Sequence, residues 1–343
     1  MTSEWKRADE AGAVDPVSAK QTLSMLMGIF ETARIVPRTS PSRVLPLTII
    51  SGFLGAGKTT LVNRLLSEPA GRRIAVLVND FAAVNIDEEL IRFQSGDTIG
   101  LTNGCACCSI NGDLVNAIQR LVERDDPPDA VVLEASGIAD PRGIAQIALA
   151  NPAMRLDAII TLVDAETIAE RLRDERTRAT FVSQLTAADM IAVNKIDLVH
   201  APGNEIRDTI ESIAPKRVVL ETTHGNIPTD VVLGAVNRTA SLMACSPADH
   251  AVGFSSTARE WKDPVDRDTV LRWLRDLPPY IIRAKGTFAF RNEEAARYVY
   301  QRVGRREVLE LSPETVIPSS ESRVVLIGFS DSWKDADISG PPS

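Results

Sequence analysis

The chain has 343 residues, 44% of them hydrophobic and 24% charged, which is enough to bury a full core with room for a second domain and excludes a disordered tail. A formal net charge of −8 with a pI near 5.1 speaks against nucleic acid or an anionic membrane as the main partner. No apolar run has the length to cross a bilayer, and Met1 to Lys20 lack the layout of a secretory signal. Three of the four cysteines crowd into residues 105–108, a pattern that suits a metal or reactive site in a reducing, cytoplasmic setting rather than a disulfide framework.

Residues 1–43 read as an N-terminal extension: Leu23, Met27, Phe30 and Ile35 fall loosely at helical spacing, and a linker rich in Pro, Ser and Arg follows from Pro37 to Arg43. The main domain, 44–243, opens on Leu47 to Thr60, where an apolar strand closes on a Gly-rich turn. Gly52, Gly57, Lys58 and Thr59 fit the pattern of Gly, four residues, Gly-Lys-Thr. Such a loop aims successive backbone N–H groups at a polyphosphate, which side chains at Gly52, Gly55 and Gly57 would obstruct. Lys58 adds a point charge, and Thr59 can offer its hydroxyl to magnesium. The phosphate-binding set is Gly52, Gly55, Ala56, Gly57, Lys58, Thr59 and Thr60, running into a helix with Leu61, Val62, Leu65 and Leu66 at its period.

Arg73 to Asn79 reads as a buried parallel strand that ends at Asp80, a carboxylate placed to hold magnesium or its water. Asp87 is a second acid in the same loop. Cys105, Cys107 and Cys108 follow among turn residues, and thiolates so spaced can reach one soft or borderline cation, with other ligands needed to close the site. Ala130 to Leu133 is another strand, ending at Glu134, with Gly137 shortly after; an acid on the magnesium side and a glycine approaching the γ-phosphate fit these two positions.

Further strands are expected at Ala158 to Val163, Met190 to Val193 and Arg217 to Leu220, with Glu166 to Arg178 as a solvated helix. The strand at Met190 ends in Asn194-Lys195-Ile196-Asp197. The Asp197 carboxylate can accept both N1–H and the exocyclic amine of guanine, a pairing that adenine cannot make, while Asn194 orients the loop and Lys195 covers the ring. Glu221 to Gly225 stands where a last loop could touch the base. Six strands with helices between them give an α/β fold with a doubly wound, mostly parallel sheet.

Residues 244–258, small and polar, read as a linker carrying Cys245 and His250. A second, smaller α/β domain follows over 259–331, with a helix near Leu271 to Leu277, strands at Ile281 to Phe290 and Val324 to Phe329, and a helix at Glu293 to Val303 between them; residues 332–343 form a tail. Its cluster of Arg283, Lys285, Arg291, Arg297, Arg302, Arg305 and Arg306 reads as a solvated face.

Taken together, Gly52 to Thr60, Val78-Asn79-Asp80-Phe81, Asn103 to Cys108, Glu134 to Gly137 with Pro141, and Asn194 to Asp197 resemble the CobW-like metallochaperone GTPases, relatives of the nickel-insertion GTPases of hydrogenase and urease. Arg283, Lys285 and Gly286 resemble that family's C-terminal domain. The resemblance implies a slow GTPase in which GTP and magnesium favour a metal-competent state at Cys105, Cys107 and Cys108, and hydrolysis hands zinc or cobalt, with iron kept open, to a client metalloenzyme or apo-protein. Lys58, Asp80 and Glu134 are the catalytic candidates; Thr59, Asp80 and Glu134 hold magnesium; Gly137, Asn194, Lys195 and Asp197 complete the nucleotide site. A homodimer is compatible with this reading. Ala82 stands where the family usually has glycine, and with His200, His224 and His250 as its only histidines the chain lacks the His-rich segment of many members. The alternative is a regulatory GTP-binding module that acts on a partner protein without moving metal.

Overall fold

A computed structural model describes residues 44–78, 98–100, 117–199, 203–234, 253–293, 296–312, 321–333 and 338. Seven strands form a sheet in the order β3-β2-β4-β1-β5-β6-β7, comprising β1 (Leu45–Gly52), β2 (Ile74–Val78), β3 (Thr98–Gly100), β4 (Ala130–Glu134), β5 (Met154–Asp164), β6 (Met190–Asn194) and β7 (Val218–Glu221). Every pairing between neighbours is parallel. The expectation of six strands is thereby enlarged by β3, too short at three residues to show in a hydrophobic pattern.

Because parallel strands are covered on both faces, their residues are apolar throughout; β2, β4 and β6 are buried at every position. On one face Ile50, Val76, Val132, Ile160 and Ala192 pack against Leu61, Val62 and Leu65 of α1 (Lys58–Ser67). The opposite face takes Ile144, Ala145 and Ala148 of α2 (Pro141–Ala150), then Phe181 and Leu185 further along. The stretch read as one solvated helix is two, α3 (Ile168–Arg173) and α4 (Glu175–Ala187). The break falls at Asp174, whose extended backbone ends α3 and whose carboxylate accepts the Arg176 N–H at 3.1 Å to cap α4. Helix α5 (Gly203–Ile213) joins this layer through Ile210, whereas α6 (Thr229–Leu233) sends Val231, Val232 and Leu233 into the core on the α1 face.

The second sheet is antiparallel, with five strands in the order β11-β10-β9-β12-β8: β8 (Phe254–Trp261), β9 (Ile281–Ala289), β10 (Arg297–Val303), β11 (Arg306–Leu311) and β12 (Ser322–Phe329). Here the structure departs from the sequence reading, which also did not foresee β11. Residues 297–303 form a strand, not a helix, and β8 begins at Phe254, inside the stretch expected to be a linker. Helix α7 (Arg267–Arg275) sends Val270 and Leu274 into a core with Phe288, Phe290, Tyr300, Val324 and Leu326. Along β12 the alternate residues Val325 and Ile327 instead join the core beneath α1, so the two sheets share one hydrophobic cluster.

The basic cluster is a solvated face only in part: Arg291 and Arg305 are exposed, but other members turn inward. Arg283 is 1% exposed, pairs with Asp157 of β5 and donates to the carbonyls of Val231 at 2.9 Å and Val232 at 2.8 Å. Arg306 binds Asp189 at 3.0 Å and the carbonyls of Leu156 and Asp157, and Arg302 reaches the Leu274 carbonyl at 3.1 Å. Burial pushes the Asp157 carboxyl up, but Arg283, Lys285, Arg155 and Arg306 together bring it below the ordinary carboxylate value. Two guanidinium groups therefore clasp the second sheet onto the first.

Candidate nucleotide site

In an open α/β sheet ligands gather beyond the carboxyl ends of the strands, where the chain order reverses; here β1 lies between β4 and β5 at that point. Beyond β1, the loop to α1 has left-handed backbone at Gly55 (φ 79°) and at Gly57 (φ 100°), the residue immediately before α1. A side chain on Gly52 would overlap the Leu162 carbonyl, and one on Gly57 the Asn194 amide, so these glycines are required by space as well as by φ. Ala56 is buried, Thr60 exposed, and the 8%-exposed Lys58 folds its ammonium back to the Phe53 carbonyl at 3.2 Å. A helix N-terminus with an ammonium folded back over the loop before it is the electrostatic arrangement that receives a polyphosphate.

β4 delivers the acid. Glu134, 6% exposed, accepts the Thr59 hydroxyl at 2.7 Å, although 75 residues separate the two. A hydroxyl and a carboxylate, both hard oxygen donors, side by side at the mouth of a phosphate loop are a donor set that suits magnesium. Gly137 is buried three residues on, and a Cβ there would lie 2.6 Å from Leu54 Cδ2 and 2.9 Å from Leu54 N. The loop after β4 thus rests directly on the phosphate loop.

β6 ends at Asn194, the first of the four residues expected to read a base. Asn194, 2% exposed, donates to the Ala56 carbonyl at 3.0 Å and accepts the Gly225 N–H at 3.0 Å, tying the phosphate loop to the loop after β7. Lys195 sits in the left-handed region (φ 62°) and its ammonium meets Asp164 Oδ2 at 2.6 Å. Asp197 lies exposed in the short 3-10 turn Ile196–Leu198, its carboxylate open to a ligand. The structure therefore brings Gly52, Gly55, Ala56, Gly57, Lys58, Thr59, Thr60, Glu134, Gly137, Asn194, Lys195 and Asp197 to one edge. Asp80 and the cysteines Cys105, Cys107 and Cys108 lie outside the described residues, and among the described residues no group of three or more metal-binding side chains is found.

Two residues of this edge were given no role by the sequence reading. Gln184 of α4 is fully buried and donates to the carbonyls of Gly137 and Ala139, each at 3.1 Å, which holds the loop after β4. Asp164, the last residue of β5, anchors Lys195. Neither carries a motif; a polar residue on the inward face of a helix, and an acid closing an apolar strand, were the signals available.

Phosphate cradle, acid at the adjacent strand end and base loop on a parallel sheet define a phosphate-loop nucleotide-binding protein. The CobW/HypB/UreG nucleotide-binding domain matches residues 46–221, and the C-terminal domain of the cobalamin synthesis protein CobW matches residues 254–336. The chain belongs to this CobW/HypB/UreG family of phosphate-loop GTPases. It is 32% identical to the zinc chaperone CobW of a Sinorhizobium species over 278 residues, covering 71% of this chain and 78% of that one. To the zinc chaperone YjiA of Escherichia coli K12 it is 32% identical over 284 residues, covering 76% and 86%. The crystal structure of the Zn(II)-bound YjiA GTPase from E. coli aligns with a TM-score of 0.41 at 25% identity, over 84% of this chain and 95% of the other. Among the described residues no helix is long and apolar enough to cross a membrane.

Proposed function

We propose that the chain is a GTP-hydrolysing metal chaperone that couples the state of its nucleotide to the capture and release of zinc. The observation that carries the nucleotide half is the 2.7 Å contact of Thr59 with Glu134 at the mouth of the phosphate loop, beside a base tetrapeptide stitched to that loop by Asn194. The names of the relatives, two zinc chaperones, support the metal half.

In this reading the N–H groups of residues 55–59 and the Lys58 ammonium bind the β- and γ-phosphates and draw off the charge that builds up as the terminal P–O bond breaks. Thr59 and Glu134, with Asp80, would hold magnesium, which when bound would neutralise charge on the phosphate oxygens. Gly137 brings its N–H towards the γ-phosphate, and Asp197 selects guanine through paired hydrogen bonds. Glu134 and Asp80 are the groups we assign to orient the attacking water. Zinc is cargo, held by Cys105, Cys107 and Cys108; cobalt and iron are competitors for the same thiolates. A γ-phosphate that holds the segments after Asn79 and before Cys105 differently from GDP would couple the two sites, and linkage makes zinc in turn an effector of nucleotide affinity. The recipient is a client metalloprotein.

The test is a zinc titration of the GTP- and GDP-loaded protein, in wild type and in a variant with Cys105, Cys107 and Cys108 all changed to Ser. At least a tenfold difference in zinc affinity between nucleotide states, abolished in the variant, is expected. Unchanged, GTP-sensitive binding by the variant would remove the cysteines from the account. Equal affinity in both states would leave a regulatory GTPase.

A further inference from the structure

Asp164 is the last residue of β5 and lies in register with Asn194 of β6. Its side chain is 10% exposed, and its two oxygens have separate partners: Oδ1 accepts the Glu166 N–H at 3.0 Å and Oδ2 the Lys195 ammonium at 2.6 Å. The turn behind it is closed by the Thr167 N–H on the Asp164 carbonyl at 3.1 Å, and the Ala165 N–H joins the Asn194 carbonyl at 2.9 Å. The carboxylate is thus fixed before it meets the lysine. Lys195 is fixed at both ends, by a left-handed backbone and by this ion pair. A free lysine side chain carries large rotamer entropy, which a ligand that needs one rotamer would otherwise have to overcome.

We propose that Asp164 is a positioning residue for base recognition, holding Lys195 in the single rotamer whose methylene stem forms a wall for a guanine ring beside Asp197. This rests on reading residues 194–197 as the guanine loop. The ligand class is the guanine nucleotides whatever their phosphate count, because the ion pair acts on the base side. GDP and GTP should therefore weaken together when it is lost, a uniform binding effect that raises KM and leaves kcat alone.

The experiment measures GDP and GTP dissociation constants, KM and kcat for Asp164→Asn, Lys195→Met and the double variant, with thermal unfolding of each in the absence of nucleotide. The expected result is a roughly tenfold loss of affinity for both nucleotides in each single variant, kcat unchanged at saturation, and no further loss in the double variant. Wild-type affinity in Asp164→Asn, a fall in kcat alone, or losses that multiply in the double variant would each overturn the proposal. If Asp164→Asn proves poorly folded, Lys195→Met decides by itself: wild-type affinity there leaves Asp164 nothing to position. A separate arm tests the underlying reading. Asp197→Asn presents an amide N–H to the second carbonyl of xanthine, so its preference should move from guanosine to xanthosine triphosphate. Failure of that move sinks the guanine loop itself, whereas success with a silent Asp164→Asn sinks only the role of Asp164.

Discussion

At Gly137 a single methyl group would meet Leu54 of the phosphate loop, 2.6 Å from its Cδ2 and 2.9 Å from its backbone N. The backbone atom cannot yield as a side chain can, so Gly137→Ala must push the loop after β4 off the phosphate loop. We expect GTP turnover to fall more than tenfold while GDP affinity changes less than about threefold, measured by phosphate release and by GDP titration. Glu134→Gln keeps the shape of the site but removes the charge beside Thr59; its expected signature is a loss of kcat with a raised magnesium requirement, read from turnover against magnesium concentration. A third side chain reports on pH. Burial pushes the Lys285 ammonium from its ordinary 10.5 down to about 8, with Asp157 opposing and Arg155, Arg283 and Arg72 adding to the shift. Between those two values the unfolded chain holds a proton that the folded chain has released, so this residue makes stability climb with pH there, whereas below pH 8 both forms hold it. Lys285→Met should therefore melt above wild type at pH 7, and the gap should close towards pH 10; a gap independent of pH would show that packing, not charge, sets it. The phosphate-loop and base-loop residues were legible because each group is contiguous in sequence and its chemistry is local. Gln184 and Asp164 were not, since their partners Gly137 and Lys195 are 47 and 31 residues away.

Individual elements divide in the same way. The strands of the parallel sheet are unbroken apolar runs between turn residues, so all but the short β3 could be read off. The segment before β10 begins Glu293-Glu-Ala-Ala, strong helix formers, and this masked the pattern behind it. Tyr298, Tyr300 and Arg302 then alternate with Val299, Gln301 and Val303, and β10 pairs on both sides, with β9 and with β11. Aromatic and β-branched residues in a doubly paired strand outweigh the helical start. Among the helices, α2 depends on the residue that caps its start: Asp140 accepts the Arg142 N–H at 2.9 Å and the Ser183 hydroxyl at 2.6 Å. Asp140→Ala should cost about 1 kcal/mol of stability by denaturant titration. A null result would mean that Pro141 at the first helical turn suffices on its own.

For the whole molecule, what the sequence could not disclose is how the second sheet is attached. Arg283 and Asp157 lie 126 residues apart, and nothing in a run of basic residues says that one of them is buried to 1% exposure. Removing one partner of a buried ion pair leaves the other uncompensated, at a cost of about 3–5 kcal/mol. Calorimetry of Arg283→Ala should accordingly show a lowered Tm and a split of the wild-type transition into two, one for each sheet. A single transition at the wild-type temperature would mean that the shared core beneath α1 holds the sheets together unaided.

The same joint limits what can be rebuilt. Gly234, with φ 72°, lies at the end of α6, and a Cβ on it would stand 2.9 Å from Arg283 Nε and 3.3 Å from Lys285 Cδ. Anyone grafting the C-terminal sheet of a relative onto this GTPase must therefore transplant glycine, arginine and aspartate as one unit. A chimera that matches the strands but mismatches these three positions would carry a hinge that its parents lack.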